Sequence, residues 1–150
     1  MMRNDLDPTH PVFRVPGSPE VLAHERRVRA DRAARVLSVG IAVVAVTASA
    51  MGLFVSDLYA DGAWAREALR GGDLTTLVLA VPLLIGSLLM SARGSARARA
   101  VWIGVLAYFV DNSAFYAFGT TFNDAFILHV ALLSMSIFAL ACALVSTDLV

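Results

Sequence analysis

Within an otherwise apolar stretch, Tyr108, Asp111, Asn112, Ser113 and Tyr116 bring a carboxyl, a carboxamide, an aliphatic hydroxyl and two phenols into one short segment. On a helix, Tyr108, Asn112 and Tyr116 fall at i, i+4 and i+8 and share a stripe, with Asp111 beside it. Asp111 lies ten residues past Val101, hence ~15 Å along the helix and near the midplane of a ~30 Å hydrocarbon core. A charge there costs at least ~2.5–3.5 kcal/mol on insertion scales, so the side chain is expected to face a bundle interior, a cavity or a partner. The following apolar stretch carries one ionisable group, His129, four residues past Ala125 and ~6 Å below the boundary, whereas Asp111 is eight residues or ~12 Å from Gly119. An Asp111–His129 pair, direct or through water, is compatible with that one-turn offset but not required by it. Ser134 and Ser136 are alternative neighbours in depth. Two chemistries fit the cluster of Tyr108, Asp111, Asn112, Tyr116 and His129. One is a proton-linked relay or solute site; the other is interhelical polar contact that fixes packing, at ~0.6–2 kcal/mol per hydrogen bond.

The elements that must position these residues are membrane spans. The apolar share is 58% and the mean hydropathy +0.71, against ~45–50% apolar residues in a soluble domain. Residues 1–17, with Pro8, Pro11 and Pro16, read as a disordered N-terminal tail. Residues 18–35 read as a charged cytoplasmic helix, started by Ser18 as N-cap and Pro19 at the first helical position and supported by the i,i+4 pairs Glu25/Arg29 and Asp31/Arg35. Residues 36–150 form the membrane domain, with four spans at about 36–58, 74–92, 101–119 and 125–147; Val36 to Ser56 holds no charge at all. The fold expected is an all-α membrane protein, four transmembrane helices in an antiparallel bundle.

The first connection suggests a short interfacial helix, capped by Asp61, stopped by Gly71-Gly72 and anchored by Tyr59 and Trp64. Asp73 is placed to cap the second span. Pro82 within that span should remove the hydrogen bond to Val78 and bend the helix. Asn123-Asp124 reads as the turn and N-cap of the fourth span, and Ala48 with Gly52 as a close-packing pair. His10 and His24 fall outside the spans and are expected to be solvated. Met90, Met135 and the phenylalanines 115, 118 and 122 read as lipid-facing or packing residues.

All twelve basic residues are arginine: seven precede the first span, three lie between the second and third, two in the first connection and none in the last turn. The positive-inside rule then puts both termini in the cytoplasm. A twin-arginine signal at Arg26-Arg27 with cleavage after Ala48-Ser49-Ala50 is disfavoured by the long region before the apolar run and the three further spans. The absence of lysine excludes a retinal or pyridoxal Schiff base. One intramembrane histidine cannot supply two axial haem ligands, and the lone Cys142 permits neither an internal disulfide nor a Cys-x-x-Cys exchange. Hydrolase and metalloprotease motifs are missing, so no catalytic residue, cofactor or metal is implied. Acids interleave with the N-terminal arginines, which disfavours nucleic acid as a partner.

The string Tyr116-Ala117-Phe118-Gly119-Thr120-Thr121-Phe122-Asn123, with Phe126-Ile127-Leu128 after it and the Asp73-Leu74 start of a span containing Pro82 before it, resembles a family of uncharacterised bacterial polytopic integral membrane proteins over about residues 36–146. That resemblance implies a bacterial inner-membrane location and a polytopic helical fold, and no particular activity. The function expected is therefore a non-enzymatic membrane component, packed in the bilayer against a second copy or another subunit. The alternative is a small proton-linked transporter using Asp111, superficially like the four-span multidrug exporters that work as dimers around a membrane carboxylate. Reporter fusions near Ala30, Ala96 and Val150 should signal from the cytoplasm, and fusions near Trp64 and Thr121 from outside. A cytoplasmic Trp64 would overturn the charge argument.

Overall fold

The computed structural model describes residues 18–55, 63–120 and 124–147. These fold as helices α1 (Pro19–Phe54), α2 (Ala63–Thr75), α3 (Val81–Ala92), α4 (Ala96–Gly119) and α5 (Phe126–Val145), with a π-helical segment, Thr76–Ala80, joining α2 to α3. There is no strand among the described residues. Four continuous helices, Pro19–Phe54, Arg66–Ala92, Ala96–Gly119 and Phe126–Val145, are long and apolar enough to cross a membrane, and the chain is a multi-pass membrane protein. They pack antiparallel in the spatial order α1, α5, α4, α3, with α3 and α2 returning to α1.

The buried seams of α1 and α5 alternate steps of four and three, and that of α4 does so from Leu106 onward. On α1 the seam runs Ala34, Ser38, Ile41, Ala45, Ala48 and Gly52; on α4 Ala98, Trp102, Leu106, Phe109, Ser113 and Tyr116; on α5 His129, Leu132, Ser136, Ala139 and Ala143. A 3.5-residue period keeps one face toward its neighbour at a left-handed crossing near +20°. The predominance of alanine, serine and glycine on α1 lets backbones approach, which matters where lipid removes the hydrophobic drive and packing must supply the attraction. The expected close-packing pair, Ala48 and Gly52, is part of this seam.

Helix starts follow local chemistry. Ser18 accepts a hydrogen bond from the Val21 amide at 3.4 Å with Pro19 following it, as the sequence predicts. Between α3 and α4, Gly94 takes a left-handed φ of 87°. The amides of Gly94 and Ser95 return to the carbonyls of Ser91 and Met90, and the Ser95 hydroxyl caps Ala98.

The second span departs from expectation. Gly71-Gly72 do not stop a helix: α2 runs through both, because two glycines cost only ~1 kcal/mol each in a helix interior, and packing outweighs that. Asp73 is accordingly no cap but a buried mid-helix residue, 2% exposed. The structure resolves the missing Pro82 amide as a π turn, in which Val81 N–H bonds to Thr76 O immediately upstream. The N-cap position of α5 is Ala125 rather than Asp124. Tyr59, Asp61, Phe122 and Asn123 lie outside the described residues, as do residues 1–17.

At the arginine-bearing end, three helices converge on one hub. Arg99 of α4 donates to Asp31 of α1 (2.9 Å) and to Ser146 (2.7 Å) and Thr147 (3.0 Å) just beyond α5. Arg35 donates to the other Asp31 oxygen at 2.6 Å. Beneath this network Trp102 is fully buried, its indole N–H donating to Ser38 Oγ at 2.9 Å, with both guanidinium groups over its ring at 5.5 and 5.8 Å. Partial burial raises the Asp31 pKa, but hydrogen bonds from Arg35 and Arg99, with their charges, outweigh that and hold it below its ordinary 3.8.

Since the folded state then binds that proton less readily than the unfolded chain, the network's stabilisation is complete above about pH 4 and fades as pH falls through the folded-state value. Asp31→Asn should lower resistance to unfolding by SDS at neutral pH, and its deficit against wild type should shrink below about pH 4. A deficit that stays constant across that range would show the carboxylate to be disengaged.

Candidate polar site within the membrane spans

Tyr116 is the tyrosine of the predicted cluster that is buried in the bundle. Its phenol, 3% exposed, donates to the Leu69 carbonyl at 2.7 Å, and its ring stacks on the His129 imidazole with centroids 4.5 Å apart and planes 17° from parallel. Three helices are tied at one point. The approach needs Gly72: a Cβ there would lie 2.7 Å from the Tyr116 hydroxyl. The second glycine of the pair that sequence suggests as a stop thus serves as clearance for a tyrosine.

Two turns away, Tyr108 Oη is hydrogen-bonded to Thr76 Oγ1 at 3.2 Å. These two tyrosine contacts, Leu69 to Tyr116 and Thr76 to Tyr108, bracket Asp73 on one helix and Asn112 on the other. Sequence reasoning passed over Asp73 as a helix cap. The available signal was its spacing from Leu69 and Thr76, i+4 and i+7 on a common face. Asn112 is half-buried and lines a cavity of about 200 Å³ with Trp64, Leu69, Gly72, Tyr116 and Thr120.

His129 is 3% exposed, and neither ring nitrogen has a hydrogen-bond partner among the described residues. The same holds for the hydroxyls of Ser113 and Ser136, both fully buried on the α4 and α5 seams. Ser134 is exposed and returns its hydroxyl to Val130 O at 2.9 Å.

Of the placements expected for it, Asp111 takes neither the bundle interior nor the Asn112 cavity. It faces outward on α4, exposed on the surface of the single chain, while His129 is buried against Tyr116, so the two are not brought together. The physical reason is angular: the seam of α4 passes through Phe109, Ser113 and Tyr116, and Asp111 falls on the far side of that stripe. Phe115 and Phe118, 59% and 80% exposed, share the outward face and have the lipid-facing character expected of them. Among the described residues no group of three or more histidine, cysteine or acidic side chains is placed to hold a metal.

No family model, curated protein or solved structure matches the chain.

The Gly72–Tyr116 contact yields a test with a change of sign. Tyr116→Phe should cost about 0.6–1.7 kcal/mol, the range for hydrogen bonds between membrane helices. Gly72→Ala should destabilise wild type through the clash. In the Tyr116→Phe background the hydroxyl is gone and alanine's better helix propensity, ~1 kcal/mol, should make the same change neutral or stabilising. SDS unfolding of the double-mutant cycle checks this; additive losses would rule out the contact.

Proposed function

We propose that this protein is a non-enzymatic component of the bacterial inner membrane, with both termini cytoplasmic, that acts by lateral assembly in the bilayer. One observation carries the reading: Asp111, about 12 Å inside the helix end at Gly119, is exposed on the outer surface of α4 in the single chain. An uncovered carboxyl in hydrocarbon has no compensating group, so a protein partner must cover it. The arginine distribution supports the orientation, and the Tyr116–Asn123 string supports a bacterial membrane setting.

The carrier reading fits less well. A proton-linked carboxyl needs an aqueous path, and Asp111 lines neither the Asn112 cavity nor the apolar groove formed by Thr75, Leu79, Ala80, Leu83, Val105 and Tyr108. In liposomes, Asp111→Asn should leave pH-dependent solute flux indistinguishable from wild type. Asp111→Leu, which a lipid-facing site would favour, should instead reduce the size of the complex extracted in mild detergent. Loss of flux in the Asn variant, or an unchanged complex in the Leu variant, would overturn the proposal.

A further inference from the structure

Two hollows open on the outer surface of the bundle between the second span and α4, and they lie end to end. The Asn112 cavity, about 200 Å³, has Trp64 and Ala68 of α2 on one wall and Phe115 and Gly119 of α4 on the other. The apolar groove, about 130 Å³, runs between Leu79 and Leu83 on one side and Val105 and Tyr108 on the other. On α4 the positions lining the two run Gly119, Phe115, Asn112, Tyr108 and Val105, in steps of four, three, four and three, so one stripe serves both. The Tyr116–Leu69 and Tyr108–Thr76 hydrogen bonds fix the pairing of the helices, with the cavity toward the Gly119 end and the groove toward mid-span.

The hollows differ in polarity. In the groove, the Thr75 hydroxyl is turned back to Gly71 O at 2.9 Å and the Tyr108 phenol is bonded to Thr76, so both polar side chains are engaged and the lining is apolar. In the cavity, the Asn112 carboxamide has no hydrogen-bond partner among the described residues. It lies seven residues, ~10 Å, inside the helix end at Gly119, where an amide without a partner is costly. Trp64 and Phe115, 83% and 59% exposed, stand on opposite walls, and the small Ala68 and Gly119 leave the space between them open.

We infer that this cleft binds a prenylated quinone, with the ring in the Asn112 cavity and the isoprenoid tail along the groove. A phospholipid chain suits the groove, but its ester oxygens stay at the headgroup level and bring nothing to Asn112. A quinone ring on an apolar tail carries carbonyl acceptors below that level, and the Asn112 amide donates to one of them. The indole and phenyl walls offer faces and edges to a flat ring. The cavity is smaller than the ~300–1,000 Å³ of a drug-sized site, which limits the head to one or two rings. The order of polarity, ring outward and tail toward mid-bilayer, is the one such a molecule takes in a membrane.

The test uses the full chain in phosphatidylcholine liposomes and reads quenching of tryptophan emission by a menaquinone with a four-isoprene tail, with tail-free menadione for comparison. Trp64 lines the cavity, whereas Trp102 is buried at the far end of the bundle and gives a constant background. Quenching should contain a saturable part that Trp64→Phe removes and that excess phosphatidylglycerol leaves in place. Asn112→Leu should weaken both probes roughly tenfold, the loss of one buried hydrogen bond. Ala68→Leu, which fills the cavity from an exposed position on α2, should weaken both several-fold and decides the matter should Asn112→Leu fail to fold. Val105→Phe, which fills the groove, should weaken menaquinone several-fold and leave menadione unchanged. Quenching that only rises linearly with quinone in the bilayer, or that Asn112→Leu and Ala68→Leu leave unchanged, would overturn the site. Displacement by phosphatidylglycerol would make the occupant an ordinary lipid and overturn the quinone. Equal weakening of both probes by Val105→Phe would overturn the placement of the tail.

Discussion

Asp31 receives arginines from two helices, and the register of the bundle depends on that bifurcated ion pair. Seams of small residues repeating every 3.5 positions attract one another, but they discriminate weakly between registers, since a slide of one heptad presents nearly the same surface. The Arg99 fork removes this freedom. Its three donors reach Asp31 on α1 and the two hydroxyls after α5, so a slide of one helix would strand a partly buried guanidinium. Such pairs add little net stability, because desolvation offsets much of the Coulombic gain, yet breaking them is costly. Trp102 reinforces the point: its buried indole N–H donates to Ser38 Oγ, whose own hydroxyl turns back to Ala34 O at 2.8 Å.

The other end of the bundle is fixed by different chemistry. There the anchor is a neutral phenol on a helix carbonyl, backed by a stacked imidazole, with an α-to-π transition just beyond. The π segment does two things at once: it accommodates the absent Pro82 amide, and it rotates the residues that follow by its extra residue per turn. Thr76, at its start, meets Tyr108, so the irregular turn begins where the second tyrosine contact is made. A charged anchor at one end and an aromatic one at the other leave the middle to Ile41, Leu84, Leu106 and Phe109 interleaved with small residues, where van der Waals packing suffices.

The sequence made the spans legible because hydropathy is a local quantity: Val36 to Ser56 lacks charge whatever it packs against. Ser18 and the pairs Glu25/Arg29 and Asp31/Arg35 were legible for the same reason, each partner lying within one turn. The Asp31–Arg99 pair joins residues 68 positions apart, and no periodicity encodes it. Gly71-Gly72 misled because a breaker is only a weak bias, overridden where a tyrosine needs the space. Which way Asp111 turns was not legible, for a sharper reason. The rule that intramembrane acids face inward describes the assembled state in the membrane, whereas the helix angle here belongs to one chain.

The two acids near the polar stripe illustrate how membrane folds divide their polar groups. Asp73 is enclosed within the chain, between the two tyrosine contacts. Asp111, on the opposite side of α4, has nothing of its own chain over it. Its insertion cost of ~2.5–3.5 kcal/mol compares with ~0.6–1.7 kcal/mol for each interhelical hydrogen bond, so a single contact recovers only part of it and two recover most. The fold thus encloses one acid and leaves the other on its outer surface, where only a group from outside the chain can meet it, as the proposed lateral assembly requires.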